Sequence, residues 1–144
     1  MAEEGDCKPL LLLLALPLIE RTIAAANQAG LTEFCVVTGH HHRRVEMFLS
    51  ELSLRRNLTI TTVANNDWEK GNGTSVHRAR ELLDEQFVLL MADHVFDEAI
   101  LTSLVGGPLQ DGELILAADY NVDGNRFVDA NDVTRVLAKN GRII

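Results

Sequence analysis

Four short apolar runs constrain this chain most: FCVVTG (residues 34–39), LTITTVA (58–64), QFVLLMAD (86–93) and ELILAAD (113–119). Each reads as a strand, and two stop at an acid. Between the first two, Val45, Phe48, Leu49 and Leu52 recur at i, i+3, i+4 and i+7, which makes RRVEMFLSEL an amphipathic helix. PLIERTIAAANQAG is bracketed as a helix by Pro17 at its start and Gly30 past its end. Val76, Ala79, Leu82 and Leu83 mark another, with Thr74 or Ser75 as N-cap, and DEAILTSLV a further one capped by Asp97. Asn140-Gly141 between short apolar segments predicts a hairpin. Apolar strands alternating with helices give an α/β class: a mostly parallel sheet with helices on both faces, in one domain spanning residues 1–144.

The formal net charge of −8 excludes a protein built to bind nucleic acid through a basic face. Two cysteines, Cys7 and Cys35, set no disulfide framework and no metal spacing, which points to the cytoplasm. LLLLLALPLI (residues 10–19) is shorter than the roughly 20 residues of a membrane span. It also follows an acidic rather than a basic start, so by itself it reads as a buried segment.

In an open α/β sheet ligands gather beyond the carboxyl ends of the strands. Gly39 with His40, His41 and His42, the loop NNDWEKGNGTS (residues 65–75), and Asp93-His94 all fall at such ends. Asp93 there is either a ligand for a hard cation such as magnesium or a turn aspartate. Gly71 and Gly73 allow close backbone approach, Asn72 offers donor and acceptor, and Thr74 and Ser75 open a helix whose amides favour anions. The loop lacks GxxxxGK[ST], so it is no P-loop. Trp68 reads as a core anchor ahead of a stacking platform. Three successive histidines cannot converge on one ion and read as a solvated helix start. DYNVDGN (residues 119–125) imitates a calcium loop, but Ala130 stands where the twelfth-position glutamate belongs.

In order along the chain, KPL, PLIERTI, AGLTEFCVVTG, NNDWEKGNGTS, MADHVFDEAIL and DANDVTRVLAKNGRI resemble the sugar-phosphate nucleotidyltransferase superfamily, closest to the inositol-1-phosphate cytidylyltransferase family. The tryptophan loop and the ADHVFD segment carry most of that specificity. The resemblance implies a Rossmann-like nucleotidyltransferase fold lacking its first strand and glycine-rich loop, the chain being truncated at both ends. It implies attack of a sugar or inositol phosphate on CTP or another nucleoside triphosphate, with release of pyrophosphate, an activity impaired by the truncation. It further implies that Gly71, Asn72, Gly73 and Ser75 frame the base and ribose, that Asp93 binds Mg2+ and acts in catalysis, and that Lys8 contacts phosphates. The family is often fused to a membrane-embedded CDP-alcohol phosphotransferase, which is the partner implied. Against the family pattern, Leu10 to Leu16 should expose apolar surface and favour self-association. The alternatives are a catalytically silent nucleotide-binding fragment or an interaction module, calcium-binding in its remotest form.

Overall fold

The computed structural model describes residues 7–83, 86–120 and 133–144. The chain falls into two units, Met1–Gly107 and Pro108–Ile144. Its class is α/β.

In the first unit a 3-10 turn, Lys8–Leu10, leads into a hairpin of β1 (Leu12–Leu13) and β2 (Leu16–Pro17). Helix α1 (Leu18–Gln28) starts directly after Pro17 and ends before Gly30, whose φ of +96° suits only glycine comfortably. Strand β3 (Glu33–Thr38), helix α2 (His42–Arg56) and strand β4 (Thr59–Ala64) form a β-α-β unit, β3 and β4 pairing in parallel from Glu33↔Thr59 to Thr38↔Ala64. Helix α3 (Asn72–Ala79) follows the tryptophan loop, and α4 (Glu98–Gly106) packs on α1. Asp97 caps α4 by accepting from the Ala99 amide at 2.9 Å.

The core lies where periodicity put it. Val45, Leu49 and Leu52 on α2 are buried with Ile19 and Ile23 on α1, and Cys7 and Leu58 complete the cluster. Phe48 packs against it from the side. Burying one such leucine is worth about 1.5–3 kcal/mol, so α2 is held by its apolar face rather than by helix propensity.

Several expectations need correction. Residues 86–93 form neither helix nor strand, and Asp93 lies in a turn in which the His94 amide donates to the Met91 carbonyl at 3.3 Å. Asp93 therefore does not close a central parallel strand. Among the described residues β3 and β4 pair only with each other, and a continuous apolar run cannot become a strand without a ladder partner. Phe87 and Leu89 are exposed accordingly. Residues 113–119 in the second unit are likewise not a strand, with Leu114 exposed. Among the described residues the strands thus form three separate two-stranded pairs rather than one broad parallel sheet. Helix α3 begins at Asn72 with Gly71 as its N-cap, ahead of Thr74 and Ser75. The Thr74 amide and hydroxyl both turn back to the Gly71 carbonyl, at 3.1 and 2.8 Å, and so extend the helix toward the glycine. In the second unit the Asn140-Gly141 turn joins β5 (Ala138–Lys139) and β6 (Arg142–Ile143), both turn residues having positive φ, as a type I′ hairpin requires. The calcium-like loop, with Asp129, Ala130 and Asp132, lies outside the described residues beyond Tyr120.

Residues 10–19 are not buried throughout. Leu10 packs on the core and Ile19 is in it. Leu12 to Pro17 form the β1–β2 hairpin, which exposes apolar surface as the departure from the family pattern implied, Leu14 at its tip being 85% exposed. Leu14 and Ala15 occupy the left-handed region, with φ of 49° and 66°. Arg21 on α1 holds this turn, its Nε donating to the Leu13 carbonyl at 2.8 Å and its Nη2 to the Leu14 carbonyl at 3.2 Å. A left-handed L-residue costs about 1–2 kcal/mol. Replacing Leu14-Ala15 by Asn-Gly should therefore raise the urea midpoint at unchanged slope, by about 1 kcal/mol after the extra unfolded-chain entropy of glycine. A lowered midpoint would show that the turn is not of this type.

Candidate active site

Two clusters in the first unit contain the expected residues. The first joins Lys8 to Asp93. Lys8 opens the first 3-10 turn and Asp93 lies in the turn before α4, yet the Lys8 ammonium stands 2.7 Å from Asp93 Oδ2. His94 Nε2 is 4.0 Å from the other carboxylate oxygen. Thr22 on α1 fixes the turn from beneath, its hydroxyl lying 3.1 Å from the His94 carbonyl that accepts from it. The hydrogen bond from Lys8 holds the Asp93 carboxyl below the ordinary aspartate range, against the upward push of partial burial. Asp93 is an anion that remains one at neutral pH.

The second cluster is the loop between β4 and α3. Asn65, at the carboxyl end of β4, is 2% exposed. Its amide nitrogen donates to Thr74 Oγ1 at 3.0 Å and to Ser75 Oγ at 3.1 Å. Its oxygen accepts from the Asp67 amide at 2.9 Å, an Asx turn that bends the chain toward Trp68. Its own backbone amide donates to the Thr38 carbonyl at 2.7 Å and ties the loop to β3. Asp67 in turn pairs with Lys70 at 2.8 Å and Arg78 at 2.9 Å, and the hydrogen bonds from those two cations lower its pKa. Gly71, with φ 101° and ψ 164°, adopts a conformation essentially reserved for glycine. Asn72 and Gly73 are exposed in the first turn of α3, and Ser75 is half-buried there.

Trp68 is no core anchor in the sense expected, being 43% exposed. It lies over Gly39 at the end of β3, and its ring stands 5.1 Å from that of His40. The core cannot take this side chain because the strand ends beneath it, and a glycine is what lets it sit so close. The three histidines lead into α2, which begins at His42.

Sequence reasoning missed Asn65, Asp67 and Thr22. An Asn immediately after an alternating strand and two residues before an Asp was a readable Asx-turn signal; Thr22 carried none.

Among the described residues no three His, Cys, Asp or Glu side chains cluster to hold a metal ion. Magnesium asks for less: one or two carboxylates, with substrate phosphates and water filling the octahedron. An ionised Asp93 beside a mostly exposed ammonium fits that one-carboxylate mode. No helix among the described residues is long and apolar enough to cross a membrane.

Comparison with known proteins bears on the family of the chain. A family model for the MobA-like NTP transferase domain matches residues 1–134. The chain is 32% identical over 145 aligned positions to the bifunctional IPC transferase and DIPP synthase of Rubrobacter xylanophilus, covering all of this chain and 31% of that protein. The protein of the same name from Thermococcus kodakarensis is 30% identical over 126 positions, 88% of this chain and 26% of its own length. That from Aquifex aeolicus is 26% identical over 137 positions, 94% of this chain and 29% of its own length. The chain thus spans less than a third of the length of these relatives.

Proposed function

The chain belongs to the MobA-like NTP transferase domain family, and from that premise we propose that it transfers a cytidylyl group from CTP to inositol 1-phosphate or a related sugar phosphate, releasing pyrophosphate. The observation that carries this reading is the Lys8–Asp93 pair, which joins a cation and an ionised carboxylate from distant parts of the chain. Lys8 would contact the phosphates of the nucleotide, and Asp93 would hold Mg2+. When bound, the ion neutralises charge on the phosphates and lowers the barrier to attack at the α-phosphorus.

The protein's own contribution is positioning and charge. The Lys8 ammonium attracts the polyphosphate and counters the negative charge that grows as pyrophosphate leaves. The turn at Asp93, tied to α1 through Thr22, keeps the carboxylate in place while Lys8 turns to substrate. Gly71, Asn72 and Gly73 offer an exposed backbone and one amide side chain to the base and ribose, and the first turn of α3 offers amides to an anion. Holding phosphate acceptor and α-phosphorus together supplies the rest of the rate. The relatives' name couples a transferase with a synthase. We place this chain in the cytoplasm as the transferase half, its product consumed by a membrane-embedded CDP-alcohol phosphotransferase. A binding-only role is favoured by one observation, that Asp93 sits on a run with no ladder partner among the described residues.

Pyrophosphate release from CTP, inositol 1-phosphate and Mg2+ decides between them. The chain should turn over, and Asp93→Asn should lose about 10²–10³ in rate together with its magnesium dependence. Equal turnover by Asp93→Asn removes the metal assignment. No turnover with magnesium-dependent CTP binding leaves the binding-only role.

A further inference from the structure

Thr74 and Ser75 both accept from the Asn65 amide, but only one of them has spent its proton. Thr74 Oγ1 accepts from Asn65 and donates to the Gly71 carbonyl at 2.8 Å, so its hydroxyl is complete. Ser75 Oγ accepts from Asn65 at 3.1 Å, and no described residue accepts its own proton. The orientation of the Asn65 amide is fixed chemically. Its oxygen faces the Asp67 backbone N–H, which can only donate, so its nitrogen faces the two hydroxyls. With one lone pair of Ser75 taken by a committed donor, the hydroxyl proton points away from Asn65, at the start of α3 beside the exposed Asn72 and Gly73.

We infer that Asn65 is a positioning residue that makes Ser75 a hydrogen-bond donor to the ligand, so that this corner of the site takes an acceptor oxygen, either a phosphoryl oxygen or a base carbonyl. The inference rests on the nucleotide-binding reading above and adds to it the polarity of the contact. A ligand presenting an N–H at this corner would meet a proton and be rejected, because leaving two donors facing one another costs both their partners. Asn65 reaches this effect without touching ligand: it is buried, and its side chain bonds to Thr74, Ser75 and Asp67.

The test is a double-mutant cycle on binding of CTP in magnesium, followed by calorimetry. Ser75→Ala alone should weaken binding about 10-fold, the usual worth of a hydrogen bond to a charged or strongly polar acceptor. Asn65→Asp keeps the size and the acceptor for the Asp67 amide but replaces the donor by a carboxylate, which draws the Ser75 proton inward. In that background Ser75→Ala should cost nothing further. Repeating Ser75→Ala with inorganic tripolyphosphate and with cytidine separates the two oxygens: the penalty should persist with one of them, and its absence from both overturns the donor role. Additive losses in a protein that binds CTP overturn this inference alone, whereas a wild type that binds no CTP overturns the function reading and this inference with it. If burying the aspartate prevents folding, the ligand-free protein decides. Both Asn65 side-chain amide protons should exchange slowly by NMR, and Ser75→Ala should release one of them. Fast exchange of both in the wild type refutes the arrangement.

Discussion

Replacing Arg55 and Arg56 together by methionine is expected to cost about 3–4 kcal/mol of folding stability, the largest loss any surface change here should produce. The reason lies beneath them. Glu20 on α1 is 2% exposed, and its carboxylate accepts from Arg55 Nη1 and Nη2 at 3.0 and 3.1 Å and from Arg56 Nη2 at 2.9 Å. Both guanidiniums remain about half exposed, so the pair itself is partly screened by solvent, and its intact worth is modest. Removing both cations is another matter, because it leaves a buried charge with nothing to offset its desolvation. The same group sets an acid limb. Burial pushes the Glu20 carboxyl up, but hydrogen bonds from Arg55 and Arg56, with their charges, pull it further down, leaving it below its ordinary value. A folded value below the unfolded one means that its stabilisation is complete above about pH 4.3 and is lost as the pH falls through the folded value. In the double variant that limb should reverse, stability rising on acidification as Glu20 takes up a proton. Urea midpoints between pH 3 and 7 measure both effects. Adding Glu20→Leu to the double variant should restore most of the loss, and a double variant within about 1 kcal/mol of the parent would show that Glu20 is not dry.

Gly39→Ala should be nearly as costly and should also reach the site. A Cβ at Gly39 would stand 2.5 Å from Trp68 Cβ and 2.8 Å from its Cγ. Neither atom is the free end of a flexible side chain, so the 65–75 loop must move as a piece. We expect about 1–3 kcal/mol of destabilisation, the range for overpacking. Weaker CTP binding should accompany it, since the same loop carries Gly71 to Ser75. Trp68 is the one tryptophan of the chain, so its fluorescence reports the displacement without ambiguity. Gly73→Ala is the control. A Cβ there meets nothing within 4 Å, and a helical position should gain stability from the change. If the two variants have the same stability and the same emission, the close approach is not real.

What could be read from the sequence was mostly local. The 3.6-residue period put Val45, Leu49 and Leu52 in the core, Asp97 announced the start of α4, and Asn140-Gly141 announced its turn. Each of those signals is complete within a few residues. Residues 86–93 and 113–119 failed because continuous hydrophobicity says that a segment prefers to leave water but says nothing about a neighbour to pair with. The leucine hairpin failed for a related reason: no glycine or asparagine marks a turn that Leu14 and Ala15 make against their own preference. Of the candidate site, Gly71 to Ser75 were legible from their chemistry, and the Lys8 assignment came from the family resemblance alone. That Lys8 meets Asp93 could not have been inferred from spacing. Asn65 was overlooked because a lone asparagine after a strand is ordinary until its three partners are seen together.

The register of β3 and β4 has a consequence for how this chain can change in length. Thr38 stands opposite Ala64, so the chain leaves both strands at the same height, roughly 4.8 Å apart, and Trp68 can fold back over Gly39. The start of β4 is pinned by the turn after α2, where Asn57 adopts φ 53°, the Leu58 amide donates to the Ser53 carbonyl and the Ser53 hydroxyl donates to that of Leu58. One residue inserted in that turn would slide β4 by about 3.3 Å and turn over every side chain on it, carrying the far loop away from Gly39. An insertion after Leu82, beyond α3, would carry no such shift back to the strands. Insertions and deletions are therefore tolerated unequally along this unit: the short turn at Asn57, at the opposite end of β4 from the candidate loop, is the segment whose length the site can least afford to vary.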